Sequence, residues 1–338
     1  MTVEEYVSLA SFTTFHIGGE ARFFIEAHTE KDIEDAIAYA REHTLSIYPL
    51  GGGSNVLVPD AGVAGIVLKM SMHDIVSEDD DDETLLIAGA GALWEDVVDS
   101  ASTRGLFGVE NLAGIPGTIG GASVQNIGAY GAELKDVFVY ADGINSATGL
   151  PWRLTRAEAM FGYRTSFFKE HREYIITRVA LRLKKHAIPN VAYPDLLRAQ
   201  ADGVSLVTPE EIARTIRSIR AQKFPHDTQQ GTAGSFFKNP VISQELADTL
   251  AKHFSAMPMF PNKNGMVKIS LAWLLDHALS LKGFSMGRAR LYEGHALVIV
   301  SHKGACAAEV DALAHVVAER VFALTGITIE REVETFGA

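Results

Sequence analysis

Three segments of the chain contain residue types that often act in catalysis. Ser235 lies in GTAGSFFKNP, Arg164 in FGYRTSFFK and Glu332 in ITIEREVETFG. Each also has a purely structural explanation. A loop serine such as Ser235 usually forms a turn, and an arginine beside aromatic residues, such as Arg164, can extend from a buried cluster. Glutamates such as Glu332 can line a solvated strand. No G-x-S-x-G pattern surrounds Ser235, so a hydrolase nucleophile is not predicted.

The last of these segments predicts a β-strand. Its alternation places Glu330, Glu332 and Glu334 on one face, since successive side chains of a strand point to opposite faces. Solvent exposure is the simplest explanation for three glutamates on one face. At most one of them is expected to face a site.

Two glycine-rich segments indicate close contact between the backbone and a ligand. The first, GGGSN, spans Gly51 to Asn55 between two apolar runs that read as a hairpin, and an ordinary tight turn is the alternative explanation. The second spans Glu110 to Leu134 and has six glycines between Gly114 and Gly131. Such a glycine-rich segment makes a poor helix or strand. It could instead form a loop whose N–H groups pack against a flat ligand or a diphosphate. Together the two loops suggest a large, extended cofactor.

Neither loop is expected to begin a Rossmann or Walker helix. NVLVPDAG, which follows the first loop, contains Pro59 and Gly62 after a β-branched run, so no helix is predicted there.

Composition excludes several classes of function. The net charge of −12 argues against a general nucleic-acid binder, whose phosphate contacts need clustered lysine and arginine. Cys306 is the single cysteine and is expected as a buried thiol in a helix. No C-x-x-C or H-E-x-x-H pattern occurs, so no metal site is predicted. The acidic run Glu78 to Glu83 reads as a solvated loop, with metal binding a weaker alternative.

The N-terminus lacks the pattern of a signal peptide, and no apolar run approaches the roughly 20 residues needed to cross a bilayer. We therefore expect a cytoplasmic protein with no membrane partner.

Several helices have recognisable ends. Thr29 with Asp32 and Thr208 with Glu211 have capping-box spacing, and Gly105 is expected to end the helix in ALWEDVVDSASTRG. Further helices are predicted in ISQELADTLAKHF, SLAWLLDHAL and AAEVDALAHVVAERVFALTG, which indicates a second α/β domain after the middle of the chain.

In order and in detail, these motifs resemble the UDP-N-acetylenolpyruvoylglucosamine reductase family. The resemblance rests on FTTFHIGGEARF, PLGGGSNVLV, NLAGIPGTIGGASVQNIGAYGAEL, FGYRTSFFK, GTAGSFFKNP and EREVETFG, which span almost the whole chain. YPDL and the stretch after FGYRTSFFK resemble the longer subtype of the family.

The resemblance implies an α+β fold with a two-part FAD-binding domain of the p-cresol methylhydroxylase/vanillyl-alcohol oxidase type and a C-terminal α/β substrate domain. The expected boundaries are 1–215 for the FAD domain, split near residue 70, and 216–326 for the substrate domain. Residues 327–338 would form a C-terminal strand that returns the site glutamate toward the FAD domain.

The resemblance also implies non-covalently bound FAD and the residues that hold it. The first glycine loop would wrap the diphosphate with turn amides instead of a helix end, and the second would line the flavin and its ribityl chain. The expected cofactor-binding residues are Gly51, Gly52, Gly53, Ser54, Asn55, Ile115, Pro116, Gly117, Gly120, Gly121, Asn126 and Gly128.

The implied reaction is reduction of an enolpyruvyl ether. FAD would relay a hydride from NADPH to C3 of the substrate, and the negative charge that develops at C2 would spread into its carboxylate. By resemblance, Arg164 and a protonated Glu332 would bind that carboxylate. Ser235 would be the general acid that protonates C2.

Four further residues match substrate-binding positions of the family, namely Tyr163, Tyr193, Lys223 and Asn239. The other basic residues near Lys223, Arg214, Arg217 and Arg220, could equally form a solvated helix face. Glu334 stands where the family often has arginine, and Phe260 stands where some relatives have tyrosine. The expected partners are the UDP-sugar substrate and NADPH, and the expected oligomeric state is a monomer.

Two other classes of function fit the same motifs. One is a flavin oxidase of the same fold, which the combination of Ser235, Arg164 and Glu332 disfavours. The other is a non-enzymatic FAD- or UDP-sugar-binding protein, which the presence of all three groups also disfavours.

Overall fold

The computed structural model describes residues 1–225 and 230–337. The chain divides into two compact units. Unit 1 comprises Met1–Val7, Ala21–Gly53 and Val63–Ala221, and unit 2 comprises Ser8–Glu20, Ser54–Gly62 and Gln222–Ala338. Each unit has its own hydrophobic core. The expected domain boundaries at residues 215 and 326 stay predictions.

The described residues form twenty strands, most of them short. They are β1 Val3–Ser8, β2 Glu20–Ala27, β3 Ile47–Leu50, β4 Val56–Leu57, β5 Val63–Met70, β6 Ile75–Asp79, β7 Glu83–Gly89, β8 Gly128–Ala129, β9 Ala132–Glu133, β10 Phe138–Asn145, β11 Pro151–Thr155, β12 Tyr174–Lys184, β13 Gln230–Gly231, β14 Val241–Ser243, β15 Met259–Pro261, β16 Met266–Ile269, β17 Ser285–Met286, β18 Ala289–Leu291, β19 Ile299–His302 and β20 Glu334–Thr335.

The same residues form nine α-helices. They are α1 Glu30–His43, α2 Trp94–Ser102, α3 Ile119–Gln125, α4 Phe167–Glu170, α5 Pro194–Ala201, α6 Pro209–Lys223, α7 Gln244–His253, α8 Leu271–Trp273 and α9 Ala307–Thr325. A π-helical turn, Leu274–Ala278, continues α8. Within the described part of the chain, no helix is both long enough and apolar enough to span a bilayer. This mixture of strands and helices confirms the expected α+β class.

Unit 1 contains two larger sheets. In the first, of order β1-β2-β5-β3, β5 pairs in parallel with β2 and with β3. The second, of order β11-β10-β12-β7-β6, is antiparallel throughout. The core of this unit includes Trp94, which is fully buried and donates its indole N–H to Leu112 O at 2.9 Å.

Unit 2 contains two antiparallel sheets, β13-β19-β18-β17 and β14-β16-β15, and the parallel pair β20-β4. Phe15, from an N-terminal segment of the chain, is almost fully buried in its core beside Phe236. Ser301 Oγ donates to Phe15 O at 2.6 Å. Burial of this aromatic ring explains why residues so early in the chain belong to the second unit.

The capping predictions are confirmed. Thr29 and Asp32 form a reciprocal capping box at the start of α1. Thr208 and Glu211 do the same for α6, because each side chain accepts a hydrogen bond from the backbone N–H of the other. The helix predicted before Gly105 ends three residues earlier, at Ser102.

The predicted hairpin around the first glycine loop is wrong. β3 pairs with β5 and β4 pairs with β20, both in parallel. The two apolar runs indicated two strands correctly, but tertiary packing determines which strands pair. The second glycine segment was expected to be a poor helix, yet it contains α3, whose N-cap is Thr118.

Two predictions near the C-terminus are also corrected. The chain bends at Glu332 and Val333, so Glu330, Glu332 and Glu334 do not share one face of a continuous strand. The bend arises because residues 330–332 pair with the segment after Ser235, whereas β20 pairs with β4. Cys306 is the half-buried N-cap of α9 and not a buried residue within the helix.

Candidate active site

The two glycine-rich segments meet within unit 1. A Cβ atom on Gly52 would lie 2.6 Å from the Cα atom of Gly117, and one on Gly51 would lie 2.5 Å from Thr118 Oγ1. A side chain would clash at either position, so the close approach requires glycine. The predicted cofactor residues on these two segments are thus brought together through bare backbone.

Lys69 in β5 holds the first loop in place. Its Nζ donates to Gly51 O at 2.7 Å, which fixes the orientation of that peptide group. Burial lowers the pKa of Lys69, although Glu26 partly opposes this shift. Lys69 was not among the predicted site residues, because a single lysine in an apolar strand belongs to no motif.

The second segment turns from the loop into α3. Thr118 Oγ1 accepts from Gly121 N at 3.4 Å, and Gly117 O accepts from Trp94 N at 2.9 Å. A Cβ atom on Gly120 would lie 2.9 Å from Ala90 O, whereas one on Gly121 would meet only Thr118 Oγ1, at 3.6 Å. Packing within the protein therefore requires glycine at position 120 but not at position 121.

These observations fit a bound diphosphate and flavin, since only a backbone without side chains can approach such a ligand so closely. Of the predicted cofactor residues, Ser54 and Asn55 belong to unit 2 and the others to unit 1. Ile115 is half-buried and Pro116 is exposed, next to Gly117.

Arg164 lies at a tight turn that packs on the end of α3. Gly162 and Thr165 pair across the turn, and Arg164 has a φ of 55°, which is uncommon for a long side chain. Its Nη2 donates to Gly128 O at 2.7 Å. Asn126 donates from Nδ2 to Gly162 O at 2.8 Å. The predicted catalytic arginine is therefore in contact with one predicted cofactor residue, Gly128, and a second, Asn126, bonds the turn that carries it.

Tyr163 and Tyr193 are partly exposed in unit 1. The Arg164 guanidinium carbon lies 5.6 Å from the centroid of the Tyr163 ring. Tyr193 is the N-cap of α5 and packs edge-on against Tyr130, with ring centroids 5.1 Å apart. Desolvation, and then Asp195, raises the pKa of Tyr193, while burial raises the pKa of Tyr130 to about 12.

A charged cluster on α2 and α6 holds Gly114, which precedes the second loop. Glu95 Oε2 accepts from Gly114 N at 2.7 Å, and Arg220 Nε donates to Gly114 O at 2.9 Å. Arg217 in turn pairs with Glu95 and Asp99. The alternative of a solvated basic face on α6 is therefore wrong for Arg217 and Arg220. Both side chains bond carboxylate or carbonyl groups of other segments that are distant in sequence.

In unit 2 the structure brings Ser235 and Glu332 together. Glu332 N donates to Phe236 O at 2.8 Å, so the backbone of the predicted carboxyl residue is bonded to the residue that follows the predicted general acid. On its other side, Ser235 forms a β-bridge with Val298. Within residues 1–225 and 230–337, Ser235 Oγ makes no hydrogen bond. This hydroxyl is thus not committed to a structural role by any described residue.

Asn55 makes a second contact with this segment. Its Nδ2 donates to Glu332 O at 3.1 Å, and its backbone O accepts from Glu334 N at 3.1 Å. From the sequence, Asn55 was expected to contact only the cofactor. Its side-chain bond joins residues 277 positions apart, which no local pattern could reveal.

Lys223 and Asn239 also belong to unit 2. Lys223 is the last residue of α6 and is half-buried. Asn239 Oδ1 accepts from Leu271 N at 3.0 Å and so supports the start of α8. Because this bond uses the amide oxygen, Asn239 can best offer its NH2 group to a ligand.

The two units carry different kinds of residue. Unit 1 contains the glycine-lined backbone and Arg164, and unit 2 contains Ser235 and Glu332 on segments whose backbones are paired. Among the described residues there is no cluster of three or more histidine, cysteine, aspartate or glutamate side chains that could hold a metal ion.

Comparison with known proteins supports the same assignment. Residues 21–155 match the model of an FAD-binding domain family. Residues 226–336 match the model of the C-terminal domain of UDP-N-acetylenolpyruvoylglucosamine reductase. These matches confirm the expected FAD cofactor and the expected two-part architecture of an oxidoreductase.

Individual relatives match this chain over almost its whole length. UDP-N-acetylenolpyruvoylglucosamine reductase of Pseudomonas aeruginosa is 38% identical over 336 residues, covering 98% of each chain. The reductase of Escherichia coli strain K12 is 38% identical over 333 residues, covering 98% of this chain and 96% of its own. The crystal structure of the reductase from Thermus caldophilus is 27% identical and covers 99% of both chains with a TM-score of 0.70.

A more distant neighbour shares the fold alone. It is 6-hydroxy-D-nicotine oxidase from Arthrobacter nicotinovorans, which is 13% identical, has a TM-score of 0.51 and covers 96% of this chain and 83% of its own. The near-complete coverage by relatives at 38% identity, together with both family models, places the chain in one family. This chain belongs to the UDP-N-acetylenolpyruvoylglucosamine reductase family.

Proposed function

We propose that the chain reduces UDP-N-acetylenolpyruvoylglucosamine to UDP-N-acetylmuramate with NADPH, as a cytoplasmic monomer in peptidoglycan precursor synthesis. Family membership supports the substrate class. The observation that carries the proposal is the backbone hydrogen bond from Glu332 N to Phe236 O, because it pairs the Glu332 segment with the segment that contains Ser235.

Bound FAD would supply the redox chemistry by accepting hydride from NADPH and delivering it to C3 of the enolpyruvyl group. The backbone of Gly51 to Gly53 and of Ile115 to Gly121 would hold the cofactor. Ser54, Asn55, Asn126 and Gly128 would complete the cofactor-binding set.

The protein's own groups would stabilise and then neutralise the negative charge at C2. Arg164 would bind the substrate carboxylate through charge-assisted hydrogen bonds, which makes charge delocalisation into that carboxylate favourable. Glu332, when protonated, would donate a further hydrogen bond to it. Tyr163, Tyr193, Lys223 and Asn239 would bind the rest of the substrate.

Ser235 would donate its hydroxyl proton to C2, so that the double bond gains one hydride at C3 and one proton at C2. A serine hydroxyl is a weak acid, but an enolate-like carbon is a strong enough base to take its proton. Positioned proton transfer of this kind contributes about 10²–10⁴-fold in rate.

The test separates the two half-reactions of the holoenzyme by stopped-flow absorbance. Ser235→Ala should leave reduction of the flavin by NADPH nearly unchanged, but should slow its reoxidation by the enolpyruvyl substrate at least about a hundredfold. Ser285→Ala is the matched control, because Ser285 is an exposed serine in β17 of the same unit.

Two results would contradict the proposal at different points. Equal slowing of both half-reactions would make Ser235 a binding or folding residue. Failure of the enolpyruvyl substrate to reoxidise the flavin of the unsubstituted enzyme would reject the reaction itself.

A further inference from the structure

We propose that Asn55 is a positioning residue for Glu332: its side-chain amide fixes the backbone of Glu332 and thereby the direction of the carboxyl group. This inference rests on the proposed function, in which Glu332 binds the substrate carboxylate. It gives Asn55 a role separate from the expected contact with the cofactor.

The backbone of Glu332 is hydrogen-bonded on both sides. Its N–H donates to Phe236 O at 2.8 Å, and its carbonyl oxygen accepts from Asn55 Nδ2 at 3.1 Å. With both groups bonded, neither peptide plane that flanks Glu332 can rotate without losing a hydrogen bond. The direction of the Cα–Cβ bond, and so the starting point of the carboxyl group, is fixed by these two partners.

A side chain is needed here because the chain bends at Glu332 and Val333. Before the bend, Lys238 N donates to Glu330 O at 2.9 Å, and after it, Glu334 N donates to Asn55 O at 3.1 Å. The Glu332 carbonyl lies between these two backbone pairings, and the Asn55 amide satisfies it. Asparagine suits this position because it carries donor hydrogens, which aspartate lacks.

Asn55 itself is held by its main chain and not by this side-chain bond. Its carbonyl accepts from Glu334 N, and directly after it Val56 and Leu57 form β4, which pairs in parallel with β20. Phe336 N continues the pairing by donating to Leu57 O at 2.9 Å. A substitution of the Asn55 side chain should therefore remove the bond to Glu332 while the strand pairing remains.

The decisive experiment is a double-mutant cycle on the holoenzyme with Asn55→Ala, Glu332→Gln and the double variant. Flavin reoxidation by UDP-N-acetylenolpyruvoylglucosamine is followed by stopped flow, alongside the rate of reduction by NADPH and the FAD retained after gel filtration. Because Asn55 is proposed to act through Glu332, its substitution should have little effect once the carboxyl group is gone.

We expect Asn55→Ala to slow reoxidation about 3- to 10-fold, the factor that corresponds to one hydrogen bond of about 0.5–1.5 kcal/mol. The contact with FAD proposed for Asn55 is made by its backbone amide, which alanine keeps, so reduction by NADPH and FAD retention should change less than about twofold. In the Glu332→Gln background, Asn55→Ala should change reoxidation by less than about twofold.

A second readout does not depend on activity. In the protein without FAD, hydrogen exchange measured by mass spectrometry should be faster in Asn55→Ala over residues 330–337, because the bond that restrains this segment is lost. Exchange over α9, which lies in the same unit, serves as the internal control. Asn55→Asp is the second variant should alanine impair folding, since it keeps the side-chain volume but lacks the donor.

Several outcomes would overturn the inference. Loss of FAD, or equal slowing of both half-reactions, would make Asn55 a cofactor residue only. Full additivity with Glu332→Gln, or unchanged exchange over residues 330–337 in both Asn55 variants, would show that it does not act through Glu332. By contrast, a Glu332→Gln variant with normal reoxidation would reject the proposed role of Glu332, while the exchange experiment would still test the Asn55 contact.

Discussion

Neighbouring contacts hold the backbone of Arg164, the residue proposed to bind the substrate carboxylate, in an uncommon conformation. A long side chain rarely adopts a φ of 55°, so the surrounding contacts must hold the backbone in this conformation. Asn126 bonds Gly162 O, and Ser166 Oγ donates to Val124 O at 2.7 Å, so the turn is tied to the end of α3 on both sides of Arg164. The backbone that carries Arg164 is therefore held by α3, the helix that the second glycine-rich segment contains.

Glu110 is a buried carboxyl group whose protonation should affect stability. It is 5% exposed and accepts from Gly108 N at 2.5 Å, yet burial raises its pKa above the ordinary value of 4.5. A carboxyl group with a raised folded-state pKa binds its proton more tightly in the native protein than in the unfolded chain. Its ionisation therefore lowers stability as the pH rises from the unfolded-state pKa through the folded-state pKa.

We accordingly expect Glu110→Gln to raise the Tm at pH 7.5 and to have a smaller effect near pH 4.5. The amide keeps an acceptor oxygen for Gly108 N but carries no charge, and about 1 kcal/mol corresponds to roughly 2–4 °C in a domain of this size. Thermal unfolding of the protein without FAD at both pH values measures the difference. A Tm that is lower in the variant at pH 7.5 would mean that the charged form is favourable in the fold.

Short elements, more than long ones, shape the proposed cofactor site. α3 has seven residues. The loop before it is fixed by Trp94, by Thr118 and by the charged cluster on α2 and α6 that holds Gly114. The loops between regular elements thus carry the function, and the helices and sheet strands around them supply rigidity.

Two glycine substitutions should separate packing from ligand binding. Gly52→Ala places a methyl group within 2.6 Å of Gly117 Cα and should destabilise the protein without FAD by about 1–3 kcal/mol. Gly121→Ala has room in the fold and lies in the first turn of α3, so stability should stay the same or rise by up to about 1 kcal/mol.

If Gly121 approaches the flavin as proposed, Gly121→Ala should nevertheless weaken FAD binding at least about tenfold. Denaturant unfolding of the protein without FAD and titration with FAD give the two quantities. Unchanged FAD affinity would remove Gly121 from the cofactor-binding set, whereas a loss of stability would contradict the packing argument.

The chain forms two hydrophobic cores, and the residues proposed for the site are divided between the two units. Segments from the N-terminal region, Ser8–Glu20 and Ser54–Gly62, belong to unit 2 with the C-terminal half. Asp60 illustrates the result, since its carboxylate accepts from Ala307 N at 2.7 Å and Ala308 N at 2.9 Å at the start of α9. Unit 2 is thus assembled from parts that are distant in sequence.

Removal of FAD should lower the apparent stability of the protein. A ligand that binds only the native state stabilises it by RT ln(1 + [L]/Kd), or about 2.7 kcal/mol at a hundredfold excess of free ligand over Kd. Thermal unfolding with and without FAD should show this shift. Riboflavin at equal concentration should give a smaller one, because it lacks the diphosphate that the glycine backbone is proposed to hold.

Equal shifts with FAD and riboflavin would argue that the glycine loops do not bind the diphosphate. No shift with either compound would contradict FAD binding in this protein.

The sequence alone determined the features that depend on near neighbours or on family-specific motifs. Capping boxes at Thr29 and Thr208 join residues three positions apart, and their helices begin where the sequence predicts. Three consecutive glycines also indicated a close backbone approach at Gly51 to Gly53, although an ordinary tight turn was the alternative.

Only the tertiary structure decided which distant groups meet. β4 pairs with β20 instead of β3, Gly114 is held by residues from two helices, and Asn55 bonds Glu332 across 277 positions. Such contacts are selected by burial and by the need to satisfy backbone polar groups at a bend, and these conditions exist only once the core has formed. For that reason the sequence could propose candidate residues for the site, whereas the contacts that orient them could not be predicted from it.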